Sequence, residues 1–487
     1  MKSILILLTF FPFLIYGQDC DCESSFNWMK KTFEENDAGF QYIIDIKGEQ
    51  AYAAHNEVYA DKISEVSDLS ECASIMNEWF KFFRKGHVYV DYLGESNSTS
   101  NEITEDDSRK KKEIYKLNDI EKFKKNLDQK EESNIEGIWQ TSSYTIGIKR
   151  EANTYIGFII ESEAEEWKKD EVKLKIFKEG ESFSSIFYKR DGSPVESEKV
   201  ALIGKNNLQL GNVFLSRVYP QMKDDASGSL YVRAMKTSSP FMERLNETTL
   251  YLRVPSFMAD QQKDIDSVLL ANRDKILSTE NLILDIRYGT GGVDRAYSKL
   301  IPFLYTNPIR TVTPDHYSTP LNNQRMLDFS KNEGIAKLYN ITFNEEERKE
   351  FKKQYDTLSQ HIGEFVNLFE SEIFVEKLDT VYEYPKNVAI VHNQNNGSSD
   401  EQFLLSAKQS TKVKLFGTTT HGVLDISNLN LVYSPCENFM LQYGLTKSRR
   451  IPEMTIDNIG IQPDYYITPE IPEYEWIPFV VDVLNEQ

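Results

Sequence analysis

The chain has 487 residues, 40% hydrophobic and 27% charged, with a formal net charge of −20. That length can hold several hydrophobic cores, and the composition is that of a globular protein. The acidic balance argues against a nucleic-acid surface and against attraction to anionic lipid.

A leader is predicted first. Lys2 precedes an apolar run from Ile4 to Tyr16 that ends at Gly17, the layout of a secretory signal peptide. The run is short for a bilayer span. Residues 1–17 are therefore expected to be removed, leaving a secreted or periplasmic protein with no membrane span. In that setting Cys20 or Cys22 is expected to pair with Cys72, and Cys436 to stay a buried free thiol.

Residues 18–93 read as a helical segment. "FNWMKKTFEEN", "HNEVYADKISEV" and "LSECASIMNEWFKFFRKGH" each place apolar residues three and four apart. Residues 94–134 are polar and densely charged, which predicts a linker or exposed helix outside any core. From 135 to 235 come short β-rich runs ("YTIGIKR", "YIGFIIES", "EVKLKIF") with turn residues about every ten positions, predicting an all-β sandwich or barrel. From 236 to 487 strands such as "NLILDIR" and "NVAIVHN" alternate with helical patterns, predicting an α/β domain with a largely buried sheet. A charged helical insertion at about 320–383 interrupts it. The whole is a multi-domain α+β protein.

Three stretches carry chemistry. In "NNGSSDEQFLLSAKQ", residues 395–409, Ser398 and Glu401 have the spacing of a capping box. A serine at a strand-to-helix turn is also exposed for attack, with helix N-terminal N–H groups beside it. In "LILDIRYGTGGVDRA" an apolar strand carrying Asp285 and Arg287 runs into Gly289, Gly291 and Gly292. These glycines permit positive φ and close backbone approach. They suit a tight turn or an oxyanion hole better than a phosphate loop, whose lysine is missing. In "FFRKGHVYVDYL" His87 follows a glycine at the end of a helical pattern. Alone it reads as structural or solvated. No cysteine spacing suits zinc, and no metal and no cofactor is expected.

Taken in order, these motifs resemble the C-terminal processing and tricorn-core serine peptidases. "KGHVYV", "LILDIRYGTGG" and "NGSSDEQFLLSAK" are similar to that family's histidine, glycine and serine turns, and "GTTTHGV" and "IDNIGIQPDYYI" to its later elements. The resemblance covers residues 240–470 well and the helical start loosely. It implies a crotonase-like ββα catalytic domain, a peptide or protein substrate, and no nucleic acid. It also implies Ser398 as nucleophile and Ser399 with Gly291 or Gly292 as oxyanion donors. The lysine-base branch would need lysine where Val423 stands, so the resemblance is to the histidine-base, tricorn-like branch. That implies His87 as base, with Asp457 hydrogen-bonded to the imidazole to orient it. His421, in "GTTTHGV", is the competing histidine. The middle residues do not resemble a PDZ domain, so cutting near C-termini is not implied. A non-catalytic peptide- or ligand-binding homologue and an esterase are the alternatives, and the oligomeric state is left open.

Overall fold

The strands Thr249–Arg253, Asn281–Asp285, Asn387–His392 and Val413–Gly417 lie side by side and parallel in a six-stranded sheet. Phe241–Arg244 joins one edge antiparallel and Tyr465–Tyr466 the other edge parallel. This is a computed structural model, and it describes residues 20–486 except 95–111, 131–133, 181, 224–225, 339–340 and 370. The leader expected at residues 1–17 lies outside the described residues. The first three central strands are buried almost throughout because helices cover both faces, so their sequences run apolar instead of alternating. Successive side chains still point to opposite sides. Leu250, Leu282, Leu284 and Ile390 meet Ile265 and Leu269 of the helix Gln262–Ala271 and Phe403 of the helix Ser399–Ala407. Tyr251, Ile283, Ala389 and Val391 meet Trp476 and Val480 of the helix Trp476–Asn485.

A second, nine-stranded sheet is antiparallel at every pairing between Gly137 and Tyr219. Its edge strands, Pro194–Ser197 and Val200–Ile203, are consecutive in the chain. The sheet must therefore curl until those edges come close, enclosing Trp139, Ile146, Ile148, Leu174 and Leu215. The helix Ile120–Leu127 departs from expectation. Its charged sequence suggested an element outside any core, yet Phe123 and Leu127, four apart on one face, are buried against Ile138.

The third sheet brings distant segments together. Its long strand Phe439–Ser448 pairs with Tyr89–Tyr92, Pro314–Tyr317 and Ile426–Tyr433. Phe439, Leu441, Tyr443 and Leu445 bury against Phe26, Phe33, Trp79 and Phe83 of the N-terminal helical segment. Asp37 fastens that contact. Its carboxylate pairs with the buried Arg84 at 2.8 and 2.5 Å and accepts Gly444 N–H at 3.1 Å. Two disulfides, Cys20–Cys436 and Cys22–Cys72, close the same assembly. The free thiol expected at Cys436 is thus corrected. Spacing along the chain hides this partner because Cys20 lies 416 residues away and only the packing of the helices on the long strand brings it near.

Non-reducing peptide mapping should recover Cys20 with Cys436 and Cys22 with Cys72, and no free thiol. The double variant Cys22→Ser, Cys72→Ser should lose about 2–4 kcal/mol of stability in denaturant titration.

Candidate active site

The strand Asn387–His392 runs into a turn that the neighbouring strand holds in place. Asn396 donates from Nδ2 to Ile286 O at 2.7 Å and to Asp400 Oδ2 at 2.9 Å, and its Oδ1 accepts Asn393 N–H at 2.8 Å. Asn393 Oδ1 accepts Tyr288 N–H at 3.1 Å. At the end of this turn Ser398 sits at φ 58°, ψ −123°. A non-glycine residue there stores roughly 1–3 kcal/mol of backbone strain, which only well-fixed surroundings sustain. Its N–H donates to Val423 O at 3.1 Å, and its carbonyl accepts Gln402 N–H at 3.0 Å to start the helix.

The capping box suggested by Ser398 and Glu401 does not form. Ser398 makes no side-chain cap bond, and its side chain lines a cleft instead. Glu401 turns away from the helix start. It accepts the Thr420 hydroxyl together with Gly422 N–H at 2.8 Å and Val423 N–H at 2.9 Å.

The glycine turn packs directly under Ser398. A Cβ at Gly291 (φ 79°) would lie 2.7 Å from Ser398 Cβ, and one at Gly292 (φ 145°) would lie 2.1 Å from Phe257 O. Neither position has room for a side chain. Ser399 Oγ donates to Gly292 O at 3.1 Å, tying the helix start to the same turn. The N–H of Gly291 faces the buried Asp400 carboxylate, and burial pushes that carboxyl up to about 7. Asp285 and Arg287 belong to the scaffold. Arg287 binds Asp285 at 3.0 and 2.8 Å, and Tyr251 and Arg253 satisfy the remaining carboxylate positions.

His87, also at positive φ (57°), leaves the helical segment at Gly86. Arg84 holds this turn, donating to Gly86 O at 3.1 Å and to His87 O at 3.0 Å while it pairs with Asp37. His87 Nδ1 lies 2.6 Å from Ile426 O. A carbonyl only accepts, so Nδ1 carries the proton and Nε2 of the neutral ring is an acceptor. Burial, with the Arg84 charge next, lowers the imidazole to about 4.

Asp457 differs from expectation. The imidazole partner is the carbonyl of Ile426, and the Asp457 carboxylate stands behind it. It accepts Leu424 N–H at 2.6 Å, Asp425 N–H at 2.7 Å and Ile426 N–H at 3.2 Å. Three amides converge on it because residues 424–426 turn their N–H groups inward. Asp425 answers from the other side, accepting Ile456 and Asp457 N–H while pairing with Arg450 at 2.9 Å. Asp457's own pKa is raised, first by burial and then by the charge of Asp425.

Ser398, Ser399, Gly292 and His87 all line one cleft of about 850 Å³. Its far wall is the helical insertion, which contributes Met326, Phe329, Phe343 and Phe351. His421 is exposed, beside Gly86 and Gly397, and its charge helps depress His87. The sequence reading did not single out Asp37, Arg84, Asp400 or Arg325. Asp37 directly follows a helical pattern, Arg84 ends another and Arg325 sits in a charged insertion, so no local signal marked them. Among the described residues no group of three or more histidine, cysteine or acidic side chains is placed to hold a metal. No described helix is long and apolar enough to cross a membrane.

Residues 248–467 match Peptidase family S41. No curated protein gives a significant match. Among solved structures, mature CPAF complexed with lactacystin is 11% identical, with 95% of this chain and 97% of that one covered and a TM-score of 0.51, a likeness of fold. The photosystem II D1 C-terminal processing protease is 10% identical over 94% of this chain and 96% of that one, TM-score 0.35. The tricorn protease is 11% identical over 96% of this chain and 36% of its own length, TM-score 0.38.

Asp457→Ala removes the acceptor of three buried N–H groups, and unsatisfied buried donors cost about 1–3 kcal/mol each. The variant should lose at least about 3 kcal/mol in denaturant titration. A loss below about 1 kcal/mol would contradict the anchoring geometry.

Proposed function

Through residues 248–467 the chain belongs to peptidase family S41, a family of serine-type hydrolases, and from that premise we propose that it is an exported serine endopeptidase with Ser398 as nucleophile and His87 as general base. The observation that carries the reading is the shared cleft. A serine in a strained strand-to-helix turn and a histidine whose Nδ1 is committed to a carbonyl line the same cavity.

In this reading Ser398 Oγ attacks the peptide carbonyl carbon while its proton passes to His87 Nε2. The carbonyl π bond opens to an oxyanion, which the N–H groups of Ser399 and Gly292 receive. Gly291 is the weaker candidate of the two glycines because its N–H faces Asp400. His87 then gives its proton to the departing amine, and the acyl-enzyme remains. Water attacks the ester with His87 again as base, releasing the acid and restoring Ser398. The imidazolium formed in each half is stabilised at Nδ1 by Ile426 O. Asp457 acts as a positioning residue, holding that carbonyl through the backbone of residues 424–426. The crotonase-like core and the assignment of residues 236–487 as catalytic domain belong to the same proposal. Two disulfides fit an oxidising compartment, which supports export.

A fluorophosphonate should label Ser398 alone, and Ser398→Ala should abolish both labelling and casein turnover with the fold intact. His87→Ala should lower kcat by roughly 10³–10⁴-fold or more, as losing a triad member does. His421→Ala should chiefly change KM, and the reverse pattern would move the base to His421. Protonating His87 removes the base, so the acid limb of kcat/KM should lie near pH 4, below the usual histidine range. Asp400, raised to about 7, adds a separate inflection that Asp400→Asn removes.

Intact mass of secreted protein should correspond to a chain beginning at Gln18. Secreted material that retains Met1 would contradict removal of residues 1–17.

A further inference from the structure

One partly buried cation of the cleft, Arg325, forms no ion pair with any carboxylate among the described residues. Arg325, on the helix Pro320–Phe329, lines the same cavity as Ser398 and His87. Its Nη1 donates to Asn428 O at 3.0 Å, and its guanidinium carbon lies 4.8 Å from the centre of the Phe329 ring. Its Nε is buried without a hydrogen-bond partner, and no carboxylate among the described residues forms an ion pair with it. Beside it on the cavity wall, His316 is 8% exposed, and its Nδ1 is buried and equally unpartnered. The surroundings are apolar, with Met326, Phe329 and Phe343 lining the wall. Glu347 lines the cavity too, but its carboxylate accepts Asn344 N–H at 2.8 Å and caps its own helix.

Two other arginines line the cleft in a different state: Arg295 is exposed to solvent, and Arg450 is paired. Arg450 pairs with Asp425 at 2.9 Å, and Arg449, outside the lining, pairs with Asp315 at 2.9 Å. A guanidinium held between a carbonyl and a ring is desolvated without being neutralised, which is costly unless an anion arrives. Its planar fork matches a carboxylate.

We infer that Arg325, flanked by His316, is a specificity-determining residue that takes a carboxylate of the bound peptide. The inference rests on the peptidase reading for what the peptide is, and on the cleft geometry for where the carboxylate goes. Asn428, which anchors Arg325, lies two residues along the strand from Ile426, which anchors His87. Both anchors lie on the strand Ile426–Tyr433, so the carboxylate site and the histidine share one cleft. The carboxylate comes either from an acidic side chain of the peptide or from the peptide's own C-terminus.

The test uses the full secreted chain carrying Ser398→Ala, so that binding is read without turnover. The probes are N-acetylated octapeptide libraries with Glu, Gln or Lys fixed at each position in turn, each made as free acid and as C-terminal amide. One Glu position, or the free acid over the amide, should bind at least about tenfold more tightly than its neutral counterpart. Which pair shows the difference identifies the source of the carboxylate. Arg325→Met should bring that ratio to about one, and Arg325→Glu should invert it toward Lys at the same position. The inversion requires a folded protein, so misfolding cannot imitate it. Equal binding of acidic and neutral members in the parent, or a preference that survives Arg325→Met, would overturn the inference. The peptidase reading fails separately, by absent fluorophosphonate labelling and casein turnover in the Ser398-containing chain.

Discussion

Five consecutive backbone N–H groups, those of residues 422–426, point into the protein and are received by two buried carboxylates. Glu401 takes the first two and Asp457 the next three. Without those acceptors the loop would leave a row of buried donors unsatisfied, and the chain would take another path. With them, the loop has one shape. Its two outward carbonyls then do the joining: Val423 O receives Ser398 N–H, and Ile426 O receives His87 Nδ1. The serine and the histidine, over three hundred residues apart in the chain, are thus referenced to one rigid strip of backbone.

The rest of the architecture delivers the pieces to that strip. The parallel sheet presents Asn387–His392 between two covered neighbours, so the turn that follows is supported from the glycine loop on one side and from residues 420–423 on the other. The strain at Ser398 is sustained because its neighbours leave no alternative. Gly291 lies against its Cβ, Asn396 fixes the turn before it, and the helix begins at once after it. On the opposite side, apolar packing of the N-terminal helices on Phe439–Ser448 carries His87 in. The Asp37–Arg84 pair then sets the turn in which it stands. A buried ion pair contributes little net stability, but it admits few geometries, which is what a positioned imidazole requires.

The cleft is asymmetric in a way that bears on recognition. One wall is backbone and small side chains at Ser398 and Gly292, and the other is the aromatic insertion with Arg325 in it. Under the proposed peptidase reading, the first wall would treat any peptide bond alike, and discrimination between peptides would fall to the second, where apolar surface and the partly buried Arg325 stand.

Much of this was legible before any coordinates. Unbroken apolar runs announced buried parallel strands, because a strand covered on both faces has no polar face to display. The glycines at 291 and 292 announced close approach, and the serine turn and the His87 turn stood out by residue type and neighbours. What the sequence could not decide is who touches whom at long range. A capping box was the local reading of Ser398 and Glu401, and tertiary structure overrode it: two inward N–H groups and the Thr420 hydroxyl were a stronger demand on Glu401 than one helix end. The resemblance sets Asp457 beside the imidazole, whereas folding set it one peptide plane behind, where its carboxylate accepts three successive amides. Cys436 found Cys20, and Phe123 found Ile138, by the same logic. Periodicity and turn chemistry act within a few residues, so sequence alone determined the elements and the residue types that stand at the candidate site. Burial must be satisfied by whatever the fold brings near, so partners, and with them the unpaired Arg325, were decided only in three dimensions.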